Sequence, residues 1–207
     1  MAAEAQLKAK RPVPLSTNYA VAHAVKDLDV DVVAAYPITP QTTVVEKISE
    51  FVANGELDAA FIHVESEHSA MSATIAAALA GARAFTATAA QGLALMHEML
   101  YIAAGLRAPV VMSVAMRALS APISIWNDQS DIFGSRDSGW IIYFVHTAQE
   151  AYDTVIQAYR LAEDPSVLLP VMVAYDGYVM SHTTEPVVTE GREEVLKFAP
   201  KRQYPYK

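Results

Sequence analysis

The chain contains no cysteine. That excludes disulfides, thiol nucleophiles, thiolate zinc sites and any iron–sulfur cluster ligated by cysteines of this chain. If electrons pass through its reaction, the iron must sit on another subunit or domain. Glycine is scarce, with eight in 207 residues. Neither a Gly-x-Gly-x-x-Gly turn after a strand nor a phosphate loop ending in Gly-Lys-Ser/Thr occurs, so this chain is not expected to cradle a diphosphate unaided. The absence of a Gly-x-Ser-x-Gly elbow speaks against an α/β-hydrolase. Basic residues are outnumbered by acidic ones, 15 to 23, for a net charge of −8, which leaves no electrostatic footprint for nucleic acid. Long apolar runs are also missing: the alanine-rich stretch 70–80 is too short to span a bilayer. The polar, basic start (Met1 to Pro14) has no secretory apolar core. No membrane insertion is expected, and the cytoplasm is the default compartment.

What is present is apolar. Hydrophobic residues make up 53% and charged residues 18% of the chain, which implies much surface buried in a core or against a partner. Periodicity predicts helices over 17–28, around Val44–Val52 (closed by Asn54-Gly55), 67–80, 91–104 and 147–161. The last of these starts on a capping box of Thr147 and Glu150. Strand-like runs occupy 31–36, 60–64, 83–88, 109–115, 140–145 and 167–175, and Pro170 marks the final one as an edge strand or a bulge. This alternation demands an α/β fold, a mainly parallel sheet with helices on both faces. Residues 1–16 read as an N-terminal arm, 17–184 as the α/β domain, and 185–207 as a linker or arm toward a further domain. The connector 116–138 carries Ile125, Trp126 and Phe133 and is expected to be an ordered, packed loop. The alanine-rich helix 67–80 is expected to be buried on several sides or to lie at a subunit interface.

Four polar residues follow four successive apolar runs: Thr39, Glu67, Gln91 and Arg117. If the runs are parallel strands, all four lie on the C-terminal rim, where open α/β sheets bind ligands. His63-Val-Glu65-Ser-Glu67-His68 has metal-like composition, but residues 66–68 leave the strand, and no metal site is assigned. Asn127-Asp128-Gln-Ser-Asp131 does not match a calcium loop; side-chain capping within the connector is its expected role. Arg117 is either a structural ion pair, with Glu67 or Asp128, or a fork for a substrate carboxylate.

As an ordered set, several segments resemble the α subunit of 2-oxoacid:ferredoxin oxidoreductases, the pyruvate:ferredoxin oxidoreductase group above all. They are Tyr-Pro-Ile-Thr-Pro (36–40), Glu-Ser-Glu-His-Ser-Ala (65–70), Phe-Thr-Ala-Thr-Ala-Ala-Gln-Gly-Leu (85–93), Arg-Ala-Leu-Ser-Ala-Pro (117–122), Ile-Trp-Asn-Asp (125–128), Arg-Asp-Ser-Gly-Trp (136–140) and Ser-His-Thr-Thr-Glu-Pro (181–186). Thr17-Asn18-Tyr19 stands where family members often read Gly-Asn.

The resemblance implies a thiamine-diphosphate-binding fold of the pyrimidine-domain type. It also implies an enzyme that oxidatively decarboxylates a 2-oxoacid, with coenzyme A as acyl acceptor and electrons leaving singly through iron–sulfur clusters. Glu67 matches the glutamate that hydrogen-bonds ring nitrogen N1′ of the cofactor, with Gln91 and Gly92 as further cofactor-binding residues. Thr39 and Arg117 match the positions that bind the substrate carboxylate. Pro37, Ile38 and Asn127 are expected near the substrate. The implied partners are a thiamine-diphosphate-binding β subunit holding the diphosphate and its Mg2+, iron–sulfur subunits, a γ subunit, and ferredoxin or another acceptor. Pyruvate is the favoured 2-oxoacid, with branched or aromatic 2-oxoacids as alternatives; the rival outside enzymes is a non-catalytic assembly module that keeps the fold and braces its partner subunits.

Overall fold

The computed structural model describes residues 11–126 and 128–203. In chain order it contains β1 (Val13–Ser16), α1 (Thr17–Asp27), β2 (Val32–Ala35), α2 (Thr42–Ala53), β3 (Ala60–His63), α3 (Glu67–Leu79), β4 (Ala84–Thr88), α4 (Ala90–Leu95) and α5 (His97–Gly105). There follow β5 (Val111–Met116), α6 (Ser130–Phe133), β6 (Ile141–Phe144), α7 (Ala148–Ala162), β7 (Val171–Asp176), α8 (Val179–His182), β8 (Thr184–Val187) and α9 (Arg192–Phe198).

Six strands form one sheet in the order β3-β2-β4-β5-β7-β6, and every neighbouring pair runs parallel. Successive strand side chains point to opposite faces, and here both faces are apolar. Val111, Val171 and Val173 join a core with α1, α2 and α7. Their neighbours Met112, Met172 and Ala174 join a second core with α3, α4 and α5. A parallel sheet covered on both sides follows from that pattern. No helix of the described residues is long and apolar enough to cross a membrane.

Several expectations need correction. Strand β7 lies between β5 and β6, so Pro170 marks neither an edge nor a bulge. It stands just before the ladder, where its missing donor is not needed, and its carbonyl accepts from Ile141 N–H at 3.1 Å. Residues 167–169 are not strand, and Leu168 adopts a left-handed φ of 45°. The helix expected over 91–104 is split into α4 and α5 at Met96. Helix α3 buries Ala70, Met71, Ile75 and Ala78 on one side and leaves Ala76 and Leu79 exposed, so this chain alone does not cover it on several sides, and the interface alternative stands.

The connector after β5 is anchored by buried Asp131 and Ile132, whereas Ile125 and Phe133 are exposed and Trp126 is 64% exposed. Trp126 stacks on Tyr178, with ring centroids 4.3 Å apart. The capping box is present: Thr147 Oγ1 accepts from Glu150 N–H at 3.0 Å. Its return bond is made to His146 N–H, 2.7 Å from Glu150 Oε2.

Beyond residue 185 the chain packs back onto the domain. Strand β8 pairs antiparallel with β1, and Val187, Val195 and Ala199 are buried in the α1/α7 core. Arg83, at the end of the sheet opposite the rim, holds this return. Its Nε and Nη2 donate to Glu163 at 2.9 and 2.5 Å. Its Nη1 donates to the carbonyls of Leu28 and Ala199, and its Nη2 also reaches that of Pro200.

Candidate active site

Because β3, β2, β4, β5 and β7 are parallel neighbours, their C-terminal ends form one rim, and Thr39, Glu67, Gln91 and Arg117 all stand on it. The loop bearing Thr39 is held from beneath by buried polar side chains. Gln41 is fully buried, and its Nε2 donates to the carbonyls of Tyr36 (3.0 Å) and Ala87 (2.9 Å), closing the loop onto the end of β4. Asn18 donates from Nδ2 to Pro40 O (2.8 Å) and Thr43 Oγ1 (2.7 Å), while its Oδ1 accepts from the Tyr175 hydroxyl at 2.7 Å. Such a network fixes one loop conformation, since each bond broken strands a buried polar group. Above it Pro37 and Thr39 are exposed and Ile38 is half-buried.

Glu67 is the first residue of α3. Ser66 caps that helix, accepting from Ser69 N–H at 3.2 Å. The Glu67 side chain is only 7% exposed, yet it makes no hydrogen bond or ion pair among the described residues. It lies directly against Gly92: a Cβ there would sit 2.8 Å from Glu67 Oε1 and 2.9 Å from its Cγ, and would overlap Thr88 Oγ1. Thr88 Oγ1 is itself buried without a partner. A carboxylate edge, a bare glycine backbone and an unpaired hydroxyl thus meet in one place. A buried polar group without a partner is costly, and a ligand bringing its own donors could satisfy both the carboxylate and the hydroxyl.

Arg117 follows β5 and is 7% exposed. Its Nη2 donates to Gln91 Oε1 at 3.1 Å, while Arg117 Nε and Gln91 Nε2 are buried without partners. The expected alternatives of an ion pair with Glu67 or Asp128 are not found among the described residues. Asp128 instead accepts from Ser130 N–H at 2.6 Å, and the Ser130 hydrogen bonds hold its carboxyl below the usual range. A guanidinium with a spare donor beside a spare amide donor has the chemistry to take an oxyanion.

One residue read from sequence only as a capping group has a larger part. Asp131 is 3% exposed. Its Oδ2 accepts from Ala90 N–H (2.9 Å) and Arg117 N–H (3.0 Å), and its Oδ1 from Ile132 N–H (2.8 Å). Burial pushes its carboxyl above the usual range, against the pull of those three donors. No local sequence signal marks it, because two of its three partners lie 14 and 41 residues away. Gln41 and Thr88 were also missed, and only burial in three dimensions singles them out.

The metal-like cluster disperses. Glu65 accepts from the Ser69 hydroxyl at 2.5 Å, and His68 faces Glu98 at 3.7 Å. No group of three metal-competent side chains occurs among the described residues. Asn127 lies outside the described residues.

Comparison with known proteins agrees with this fold. A family profile described as "Pyruvate flavodoxin/ferredoxin oxidoreductase, thiamine diP-bdg" matches residues 23–207. The pyruvate synthase subunit PorA of Methanocaldococcus jannaschii is 65% identical over 179 residues, covering 86% of this chain and 46% of that protein. The ketoisovalerate oxidoreductase subunit VorA of Pyrococcus abyssi is 53% identical over 189 residues, covering 91% and 47%. The chain therefore spans about half the length of the curated relatives it matches. Among solved structures, the 2-oxoglutarate:ferredoxin oxidoreductase of Magnetococcus marinus superposes with a TM-score of 0.80 at 27% identity, over 89% of this chain and 32% of that one. A thiamine-diphosphate-dependent 4-hydroxybenzoylformate decarboxylase of Rhodococcus jostii shares the fold, with a TM-score of 0.66 at 12% identity over 92% and 34%. The rim of parallel strand ends, its unpaired Glu67 and the profile match over 23–207 lead to one assignment: the chain belongs to the pyruvate flavodoxin/ferredoxin oxidoreductase family, in its thiamine-diphosphate-binding domain.

Proposed function

We propose that this chain forms the aminopyrimidine-side half of the active site in a complex that oxidatively decarboxylates a 2-oxoacid, pyruvate being favoured. The observation that carries the reading is Glu67, buried and without a partner among the described residues, seated on the bare backbone of Gly92. Those residues fit a planar heterocycle: Glu67 would hold a ring nitrogen, and Gly92 leaves its carboxylate edge uncovered. When bound, thiamine diphosphate supplies the carbon nucleophile and electron sink that decarboxylation needs, while the protein supplies position and electrostatics.

Glu67 would hold that ring nitrogen through a carboxylate oxygen and favour its protonated form. Arg117 Nε and Gln91 Nε2, unpaired in the free chain, take the substrate carboxylate, and the exposed Thr39 hydroxyl closes the other side. Loss of CO2 removes the anion that Arg117 holds and weakens its grip as the reaction proceeds. Pro37 and Ile38 face the substrate side chain.

The diphosphate with its Mg2+, the iron–sulfur clusters, coenzyme A binding and ferredoxin contact are assigned to a thiamine-diphosphate-binding β subunit, iron–sulfur subunits and a γ subunit. The cysteine-free, glycine-poor composition supports that division. The identity to PorA supports pyruvate. The slightly lower identity to VorA supports 2-oxoisovalerate as the second reading.

The test is Glu67→Gln in the assembled complex. Turnover is expected to fall by at least ~100-fold with assembly unchanged. Full turnover would leave only a bracing role for this chain.

A further inference from the structure

We infer that Asp131 is a positioning residue that sets the distance between Arg117 and Gln91, and through it the strength of the anion receptor. This rests on the proposed function and assigns a role to a side chain that does not reach the substrate itself.

The carboxylate joins three chain segments that sequence separates. Its Oδ2 receives the N–H of Arg117, 14 residues away, and of Ala90, 41 residues away. Arg117 is the receptor's guanidinium, and Ala90 is the residue immediately before Gln91. One oxygen therefore fixes the backbone on both sides of the 3.1 Å contact between Arg117 Nη2 and Gln91 Oε1. The other oxygen, bonded to Ile132 N–H, ties the carboxylate to a residue packed in the α3–α5 core. The clamp is thus referenced to rigid structure and not to the exposed part of the connector.

Ala90 supplies a second, independent sign. It sits at φ 45°, a left-handed conformation that alanine adopts only when its surroundings impose it. That conformation starts α4 so that Gln91 faces Arg117 and Gly92 faces Glu67. The N–H of this strained residue is one of the two that Asp131 Oδ2 holds.

A merely structural acid would influence stability alone. A positioning acid also changes how well a carboxylate binds, and does so only while Arg117 is present. Asparagine is isosteric, but whichever way its amide is turned it puts a donor against at least one of the three N–H groups.

The experiment compares Asp131→Asn, Arg117→Ala and the double variant in the assembled complex, with Glu67→Gln as a control. It reads KM and kcat for the 2-oxoacid and the dissociation constant of oxamate, an isostere of pyruvate that keeps the carboxylate and does not turn over. Asp131→Asn should raise KM and the oxamate constant about tenfold and change kcat less than about threefold. In the Arg117→Ala background the same substitution should add less than about twofold, because the two residues act as one unit.

An unchanged KM and oxamate constant in Asp131→Asn overturns the inference. So does an equal tenfold effect with Arg117 absent. If Asp131→Asn fails to assemble, Asp131→Glu keeps the charge, displaces the clamp by one methylene, and is judged by the same two criteria. Full turnover in Glu67→Gln, or unchanged KM in Arg117→Ala, overturns the proposed function instead, so the two failures are distinct.

Discussion

Gly92→Ala is the sharpest perturbation the site offers, because it adds one methyl group and removes nothing. The added carbon would stand 2.8 Å from Glu67 Oε1 and 2.9 Å from Glu67 Cγ, where ordinary contact begins near 3.4 Å. The Thr88 hydroxyl would be overlapped more closely still, so relief requires that hydroxyl to turn away and the carboxylate to retreat by roughly 0.5–1 Å, since the backbones of α4 and β4 are fixed by their packing. Overpacking of this kind costs about 1–3 kcal/mol of stability. A misplacement of about 1 Å at a catalytic group costs on the order of 100-fold in rate.

The assays are thermal unfolding of the chain, calorimetric titration of the complex with thiamine diphosphate, and steady-state turnover. The expected result is a lowered unfolding midpoint, weaker cofactor binding, and a fall in kcat close to that of Glu67→Gln. Combining Gly92→Ala with Glu67→Gln should add little, as both act on one carboxylate. If Gly92→Ala binds and turns over like the parent, Glu67 does not work from the place described, and the reasoning is refuted.

Two further predictions concern stability. Arg83→Met would leave the Glu163 carboxylate without its bidentate partner and free the carbonyls of Leu28, Ala199 and Pro200. Breaking such a buried pair from one side costs about 3–5 kcal/mol, measurable by urea unfolding, and unchanged stability would show that the pair contributes nothing. His23 packs edge-on against Phe51 with ring centroids 5.0 Å apart. Burial first, and Lys26 second, lower its basicity below the ordinary 6.5. The unfolded chain therefore binds the extra proton first, so stability contributed by neutral His23 is lost as pH falls below about 6.5. The unfolding midpoint should drop between pH 7.5 and 5.5, and His23→Gln should flatten that slope; an equal slope in both proteins would exclude His23 as its source.

The rim was legible because strand–helix alternation implies parallel strands whose C-terminal ends share one edge, and each polar residue stood just past an apolar run. Glu67 and Arg117 were found that way, and both proved buried. Pro170 misled for a physical reason: proline is excluded inside a ladder but tolerated one residue before it, and sequence does not tell those places apart. The break at Met96 was hidden because helical periodicity carries through Leu93, Met96 and Leu100, all buried on one core. The role of Asp131 depends on contacts 14 and 41 residues away, which no local pattern encodes. Trp126 misled in the opposite direction. Its size suggested packing, yet it lies over Tyr178 on the outside.

Gly177 stands where the ends of β5 and β7 meet the Thr39 loop. A Cβ there would overlap Met116 O and lie 3.1 Å from Ala115 O and 2.8 Å from Pro40 Cγ. Nothing can be wedged into that junction, so the backbone leading to Arg117 and the turn presenting Thr39 are locked at a single separation. On the function proposed, a bulkier 2-oxoacid cannot be admitted by spreading these two grips. Room for it must come from trimming Ile38 or reshaping the exposed shoulder at Pro37, which makes those two positions the dials for selectivity and the junction behind them the fixed bearing.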